Sequence, residues 1–206
     1  MALWLIRHGE TEWSLAGRHT SRTDLPLTYE GELQAVAIGK LLADRTFERV
    51  LSSPSRRAAD TARLAGFGPR LATEDSLTEV DYGDYEGLTT LEIQDRAPGW
   101  ELFRDGAPGG DTPETMTERA DGIVASLEDG STNTLVFGHA HRFRSIAARY
   151  LGLPLAVAAQ LRLDAGAISV LAPQRDGRAI VLWNRRVAAR AVIVADIAVR
   201  VPDVPG

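Results

Sequence analysis

Two apolar runs in the sequence each end on a histidine: WLIRH, closing on Arg7 and His8, and LVFGH, closing on His139. A third, RVLSS, leads into Pro54 and the pair Arg56-Arg57. An imidazole can serve as nucleophile or base, and a guanidinium fork matches the two oxygens of a carboxylate or phosphate. The start of a helix adds unpaired backbone N–H groups to such a site. An anion site alone needs no acid, but LTEVDYGDYEG, Leu77 to Gly87, supplies Glu79, Asp81, Asp84 and Glu86 in a glycine-marked loop. A carboxyl beside a nucleophilic imidazole would complete a phosphoryl-transfer set: nucleophile, cations for the equatorial oxygens and a proton donor for the leaving alkoxide.

Each feature has a plainer reading. An Arg-His pair can be a solvated loop, Arg56-Arg57 surface charge, and YGDYEG merely a turn. His139 and His141, spaced H-x-H, suit a metal pair, yet no third and fourth ligand accompany them. What favours a site is that all these residues fall at expected strand or helix termini on one side of a sheet, where open parallel sheets bind ligands.

The expected elements are these. A strand over residues 2–7 leads into a polar stretch, Gly9 to Pro26, without period; a loop that long is usually functional. Thr28 caps a helix whose apolar stripe is Leu33, Val36, Ala37 and Leu41. RVLSS is a strand, and Ser53 caps a helix with Pro54 at its first position, Arg57 in its second turn and a buried stripe of Ala58, Thr61, Ala62 and Ala65. The segment from Gly66 to Gly110 carries short elements only, including a helix near Thr89 to Arg96, and forms an insertion over one face, about 66–112. A helix from Thr112 to near Gly130 buries Met116, Ala120, Ile123, Val124 and Leu127. TLVFG is a buried strand delivering His139, followed by a helix with an apolar stripe of Phe143, Ile146, Ala147 and Tyr150. AISVL and AIVLW flank an Asp176-Gly177 turn as a hairpin closing one sheet edge. The class is α/β: a three-layer sandwich around a mostly parallel sheet with an antiparallel edge strand. One domain spans 1–185, and the tail 186–206 reads equally as edge strand, oligomer contact or loose end.

The chain has 206 residues, 44% of them hydrophobic and 25% charged, as in ordinary globular domains. Its net charge of −5 argues against nucleic acid as a partner. With no cysteine, disulfides, thiolate metal sites and cysteine nucleophiles are excluded. Arg7 interrupts the N-terminal apolar stretch too early for a signal-peptide core, and no run reaches membrane-spanning length, so a cytoplasmic protein without membrane partners is expected.

RHGETEW (Arg7 to Trp13), SSPSRRAADTA (Ser52 to Ala62), LTEVDYGDYEG and VFGHAHRFR (Val136 to Arg144) resemble, in order, the motifs of the histidine phosphatase superfamily, also called phosphoglycerate mutase-like. The resemblance runs from residue 3 to about 184. It implies that fold, His8 as the nucleophile that becomes phosphohistidine, a phosphate pocket of Arg7, Arg57 and His139, and Glu79 as proton donor and then base for water. No metal or other cofactor is implied, because guanidinium and imidazole groups supply the charge. His8 must then keep a lone pair on its attacking nitrogen, with the other donating to a carbonyl in the loop after Gly9, and the neighbouring arginines favour that neutral form. The charge state of His139 stays open.

Within the superfamily, Trp13-Ser14, DYGDYEGLTT and WELFRDGAPGGDT resemble the acid phosphatase and sugar-phosphate phosphatase branch, the last being similar to sedoheptulose bisphosphatase-like enzymes. Mutases typically carry Asn at the place of Ser14 and Gly at the place of Ser21, and the stretch between Gly87 and Gly110 is short for a mutase cover. Ala140 stands where glycine is usual. Ser14, Thr20, Tyr82, His141 and Arg144 are the candidate substrate contacts, Arg144 being either a ligand for a distal anionic group or a surface residue. The expected activity is metal-independent hydrolysis of a small phosphate monoester such as a sugar phosphate. The alternatives are a phosphoglycerate mutase and a non-catalytic module binding a phosphate ligand.

Overall fold

The computed structural model describes residues 2–127, 132–175 and 177–187. In chain order the elements are β1 (Leu3–Arg7), α1 (Glu12–Leu15), α2 (Tyr29–Leu42), β2 (Arg49–Ser52), α3 (Arg56–Leu64), β3 (Leu71–Thr73), α4 (Thr90–Gln94), α5 (Leu102–Asp105), α6 (Pro113–Leu127), β4 (Thr134–Gly138), α7 (Ala140–Tyr150), β5 (Ile168–Gln174) and β6 (Gly177–Arg185). The strands form one sheet in the order β3-β2-β4-β1-β5-β6. β1, β2, β3 and β4 run parallel, and β5 runs antiparallel to both of its neighbours. This is the α/β sandwich of the phosphoglycerate mutase-like fold.

Alternation along the strands divides the core between two faces. Leu3, Leu5 and Val136 pack with Ile123 and Val124 of α6 and Phe143 and Ile146 of α7. Ile6, Leu135 and Phe137 turn the other way, towards Ile38 and Leu42 of α2 and Ala62 of α3. A third cluster gathers Val80, Tyr82, Ile93, Trp100 and Phe103 against Met116 of α6 and Ala148 of α7, so the segment from about 78 to 110 has its own apolar support.

Parallel register sets the functional rim. Arg7 lies opposite Gly138, and Phe137 opposite Ser52, so β1, β4 and β2 end level with one another. The ladder continues one step past the strands, with His8 N–H donating to Gly138 O and Ser53 N–H to Phe137 O, each at 2.9 Å.

Several local expectations need correction. The Gly9–Pro26 stretch contains α1, closed by a capping box between Thr11 and Ser14. Thr28 does cap α2, but the buried face of that helix is Gly31, Ala35, Ala37, Ile38 and Leu42; Leu33 and Val36 are half-buried and Leu41 is exposed. The phase is set by small residues, because α2 presses its backbone onto Glu10 at Gly31 and onto α3 at Gly39. α3 starts at Arg56 with Ser55 as N-cap, so Arg57 lies in its first turn. The Ser53 hydroxyl lies ahead of the helix, bonding His139 Nε2 at 2.8 Å and accepting Ser55 N–H at 3.4 Å. β3 went unanticipated: it has three residues, none of them buried. Gly130, Asp176 and residues 188–206 lie outside the described residues. Among the described residues no helix is long and apolar enough to cross a membrane.

Gly31 also gives a prediction whose sign opposes helix propensity. A Cβ there would stand 2.2 Å from Glu10 O, beside the His8–Gly9 turn, whereas one on Gly122 of α6 would meet nothing within 4 Å. Gly122→Ala should therefore raise unfolding free energy by about 0.5–1 kcal/mol, the ordinary gain in a helix interior. Gly31→Ala should instead lower the melting temperature and activity together, as thermal melts of the two variants would show.

Candidate active site

The end of β1, the start of α7 and the loop that carries Glu79 meet at a cleft of about 430 Å³ lined by Arg7, His8, Glu79, Tyr82 and His141 among others. His8 is nearly buried. Its Nδ1 lies 2.7 Å from Gly9 O, and because a carbonyl only accepts, Nδ1 carries the proton. Nε2 is left with a free lone pair at the cleft wall. The carbonyl is thus Gly9's own rather than one further along the loop. Thr61 of α3 steadies the turn by accepting Gly9 N–H at 3.0 Å while donating to Arg57 O at 2.7 Å.

His139 is wholly buried beside it, with ring centroids 5.3 Å apart. Arg57 Nη2 lies 3.3 Å from His139 Nδ1, and a guanidinium can only donate, so that nitrogen is an acceptor. Nε2 therefore carries the proton, directed at Ser53 Oγ 2.8 Å away, with Ser55 Oγ at 3.2 Å. Burial, followed by the charge of Arg57, holds the His139 pKa well below the ordinary imidazole value. The state left open by the sequence is accordingly neutral. The His8 pKa is likewise held well down, by burial and then by Arg57 and Arg7.

Arg57 is 1% exposed and lies behind the cleft wall, donating to the carbonyls of Thr23, Thr20 and Ser21 at 3.1–3.3 Å. Arg7 donates to Leu163 O at 2.6 Å. Each keeps a buried Nε–H without an acceptor among the described residues. Glu86 completes the clamp on the same loop by accepting Ser21 N–H and Thr23 N–H at 3.0 Å.

Glu79, 4% exposed, accepts Arg142 N–H at 2.7 Å and Val80 N–H at 2.9 Å on Oε1, and His141 N–H at 3.1 Å on Oε2. It thereby caps α7, whose own N-cap residue His139 makes no side-chain cap. Of the four acids in the glycine-marked loop, only Glu79 lines the cleft.

Ser14, Thr20, Tyr82, His141 and Arg144 all line the cleft, but with unequal freedom. The Ser14 hydroxyl is engaged in the capping box with Thr11, and Thr20 Oγ1 donates to Arg18 O. Tyr82 and His141 are joined by a 2.6 Å hydrogen bond. Arg144 donates to Ala158 O and Ala159 O and lies over the Phe103 ring at 4.8 Å, so it is a cleft residue and not a free surface one. The H-x-H spacing does not make a chelating pair, since His139 faces Ser53 and His141 faces Tyr82.

Arg18, His19 and Arg162 also line the cleft and were missed, as was wholly buried Arg142. Arg142 donates from Nε to Thr78 O, and desolvation pushes its pKa down to about 10. Nothing in the local sequence distinguishes these residues from solvated charge.

The histidine phosphatase superfamily (branch 1) family model matches residues 3–186. The acid phosphatase of Mycobacterium tuberculosis is 40% identical over 172 residues, covering 82% of this chain and 84% of that protein. The sedoheptulose 1,7-bisphosphatase of Saccharomyces cerevisiae is 32% identical over 182 residues, covering 72% and 67%. A solved structure of a Mycobacterium tuberculosis open reading frame product superposes with a TM-score of 0.85 at 35% identity, covering 90% of this chain and 97% of that one.

The sequence has four histidines, and burial lowers the pKa of each, well below the ordinary value for His8, His139 and His141. The unfolded chain, titrating near pH 6.5, binds more protons than the native one just below that pH. The contribution of these groups to stability is therefore complete above about pH 6.5 and declines as the pH falls towards the native pKa values. An NMR titration should find every imidazole midpoint below about 6.5, and melting temperature should fall as pH drops from 6.5. A His8 midpoint at or above that value would contradict this electrostatic account.

Proposed function

Given that the chain belongs to the histidine phosphatase superfamily and is a phosphoric monoester hydrolase, we propose that it hydrolyses small phosphate monoesters of the sugar-phosphate kind through a phosphohistidine on His8, without a metal. The observation that carries this reading is the neutral His8, its Nε2 lone pair open to a cleft that also holds Glu79, with Arg7 alongside and Arg57 and His139 against it.

In this mechanism the Nε2 lone pair attacks phosphorus and the ester P–O bond breaks. Arg7 and Arg57 stabilise the charge on the equatorial oxygens. His139 adds a neutral hydrogen-bonding neighbour. The Nδ1–H bond to Gly9 O stabilises the positive charge that develops on the His8 ring. Glu79, protonated on Oε2, where it accepts only the longer bond from His141 N–H, gives that proton to the leaving alkoxide. The resulting carboxylate then takes a proton from water, whose oxygen attacks phosphorus as the P–N bond breaks. Inorganic phosphate leaves, with His8 neutral and Glu79 protonated again. Hydrolysis of sugar phosphates is supported by the names of relatives, among them sedoheptulose 1,7-bisphosphatase and the glucosyl-3-phosphoglycerate phosphatase of Mycolicibacterium vanbaalenii. The chain is also 29% identical to proteins named probable phosphoglycerate mutase, so the assay must distinguish hydrolysis from isomerisation.

Phosphate release from a panel of sugar phosphates in EDTA, run beside a mutase assay on 3-phosphoglycerate with 2,3-bisphosphoglycerate, tests the reading directly. Release without isomerisation is expected; loss of activity in EDTA, or isomerisation without net release, would overturn it. His8→Ala should lower turnover by about a thousandfold or more. Its melting temperature should stay close to that of the parent chain. Glu79→Gln should cost about a hundredfold or more on sugar phosphates. On p-nitrophenyl phosphate, whose leaving group needs no proton, it should cost far less, and equal losses would remove Glu79 from the acid role.

A further inference from the structure

His19 and His141 stand side by side in the cleft wall, planes within 5° and centroids 5.8 Å apart. A collar of rings holds them: Trp100 and Tyr82 meet the edge or face of His19 at 5.5 and 4.8 Å, and Tyr82 and Phe103 do the same to His141 at 5.7 and 5.6 Å. Their hydrogen bonds lock opposite tautomers. His19 Nδ1 lies 2.8 Å from Leu88 O, which can only accept, so Nδ1 carries the proton and Nε2 is an acceptor. His141 Nδ1 instead faces the Tyr82 hydroxyl at 2.6 Å. Burial raises the Tyr82 pKa well above its usual value, so the hydroxyl keeps its proton, and His141 Nδ1 is the one hydrogen-bond partner that proton has among the described residues. His141 must then carry its own proton on Nε2. Burial lowers the pKa of both imidazoles, which keeps the pair neutral at neutral pH.

We propose that His19 and His141 form a reader for hydroxyl groups on the leaving group, His19 Nε2 accepting and His141 Nε2–H donating, with Tyr82 as the positioning residue that fixes the His141 tautomer. The inference rests on the phosphatase reading above and narrows its substrate class to esters of polyhydroxylated alcohols. A hydroxyl is the group that uses both functions, since it donates and accepts. An anion could use only the donor and would face the His19 lone pair; an alkyl chain would leave both nitrogens unpaired, the situation that gives sites of this kind their discrimination. The arginines of the same cleft are already engaged: Arg144 with two carbonyls, Arg18 with Gly87 O and Glu92, and Arg162 with Asp164.

The test compares kcat/KM for ribose 5-phosphate and glucose 6-phosphate with that for n-pentyl and n-hexyl phosphate, in the parent chain and in two variants. His19→Asn keeps an amide N–H where Nδ1 donates to Leu88 O but removes the acceptor. Tyr82→Phe keeps the ring and frees the His141 tautomer. The parent should prefer the sugar phosphates, and each variant should lower that preference by about tenfold, mainly through KM, the cost of one hydrogen bond. The ¹⁵N ring shifts of the ligand-free parent should report His19 as the Nδ1–H and His141 as the Nε2–H form, with His141 becoming mixed in Tyr82→Phe. A His141 protonated on Nδ1 in the parent, or an unchanged preference in both variants, overturns the reader while leaving the phosphatase intact. Failure to release phosphate from either class would overturn the phosphatase reading instead.

Discussion

The first N–H groups of α7 are capped by Glu79, a carboxylate sixty-odd residues earlier in the chain. A helix start buried at the end of a central strand must find an acceptor, and the local residue is committed elsewhere: the His139 ring lies between Arg57 and the serines that follow β2. Taking the cap from a distance joins the Glu79 carboxyl to the same helix turn that His139 begins. Arg142 reinforces the junction from within that turn, its backbone N–H bonding Glu79 and its side chain bonding Thr78 O. His8 just past β1 and Glu79 on a distant loop are thus located by one shared element, with β4 leading to His139 beside His8 and α7 holding Glu79.

Burying guanidinium groups imposes the second constraint. Arg57 is almost wholly enclosed, and a buried cation is tolerable only with polar partners around it. It finds them in three carbonyls of the segment from Thr20 to Thr23, while Glu86 takes N–H groups of the same segment. A stretch without regular hydrogen bonding of its own is in this way nearly as well satisfied as a strand. The same arginine lowers the proton affinity of His8 and His139, which divides the site cleanly: arginines carry the positive charge, and imidazoles carry lone pairs and directed protons.

The legible parts of the sequence were those written in local patterns. WLIRH and LVFGH announce buried strands with chemistry at their ends, and because parallel strands in one sheet end level, His8 and His139 could be placed together without coordinates. Phe143, Ile146, Ala147 and Tyr150 likewise gave the phase of α7. Most of the errors come from residues whose task is tertiary. Ser53 looked like a cap because serine before proline usually is one, but its hydroxyl serves a histidine 86 positions away. The stripe of α2 was misphased because close backbone approach at Gly31 outweighs leucine burial, and β3 is too short and too exposed to leave a period. His19 and Arg142 resemble solvated polar residues in the sequence; their roles depend on Leu88 O and Thr78 O, each more than 60 residues distant.

The two ends of the cleft rest on different cores, and this bears on how specificity can vary. The residues assigned to the phosphoryl group stand on strand ends and helix starts whose apolar support is the sheet core, Ile6, Phe137 and their neighbours. The rings Tyr82, Trp100 and Phe103 around the His19–His141 pair belong to a cluster supported by α6, α7 and the segment from Leu155 to Gln160, with no strand residue among its buried members. Substitutions in that cluster can reshape that side of the cleft while the level register of β1, β4 and β2 continues to hold His8 and His139 at their spacing. The connection between the two is again the start of α7, where His139 lies beside His8, His141 lies beside His19, and Glu79 accepts the N–H groups of His141 and Arg142.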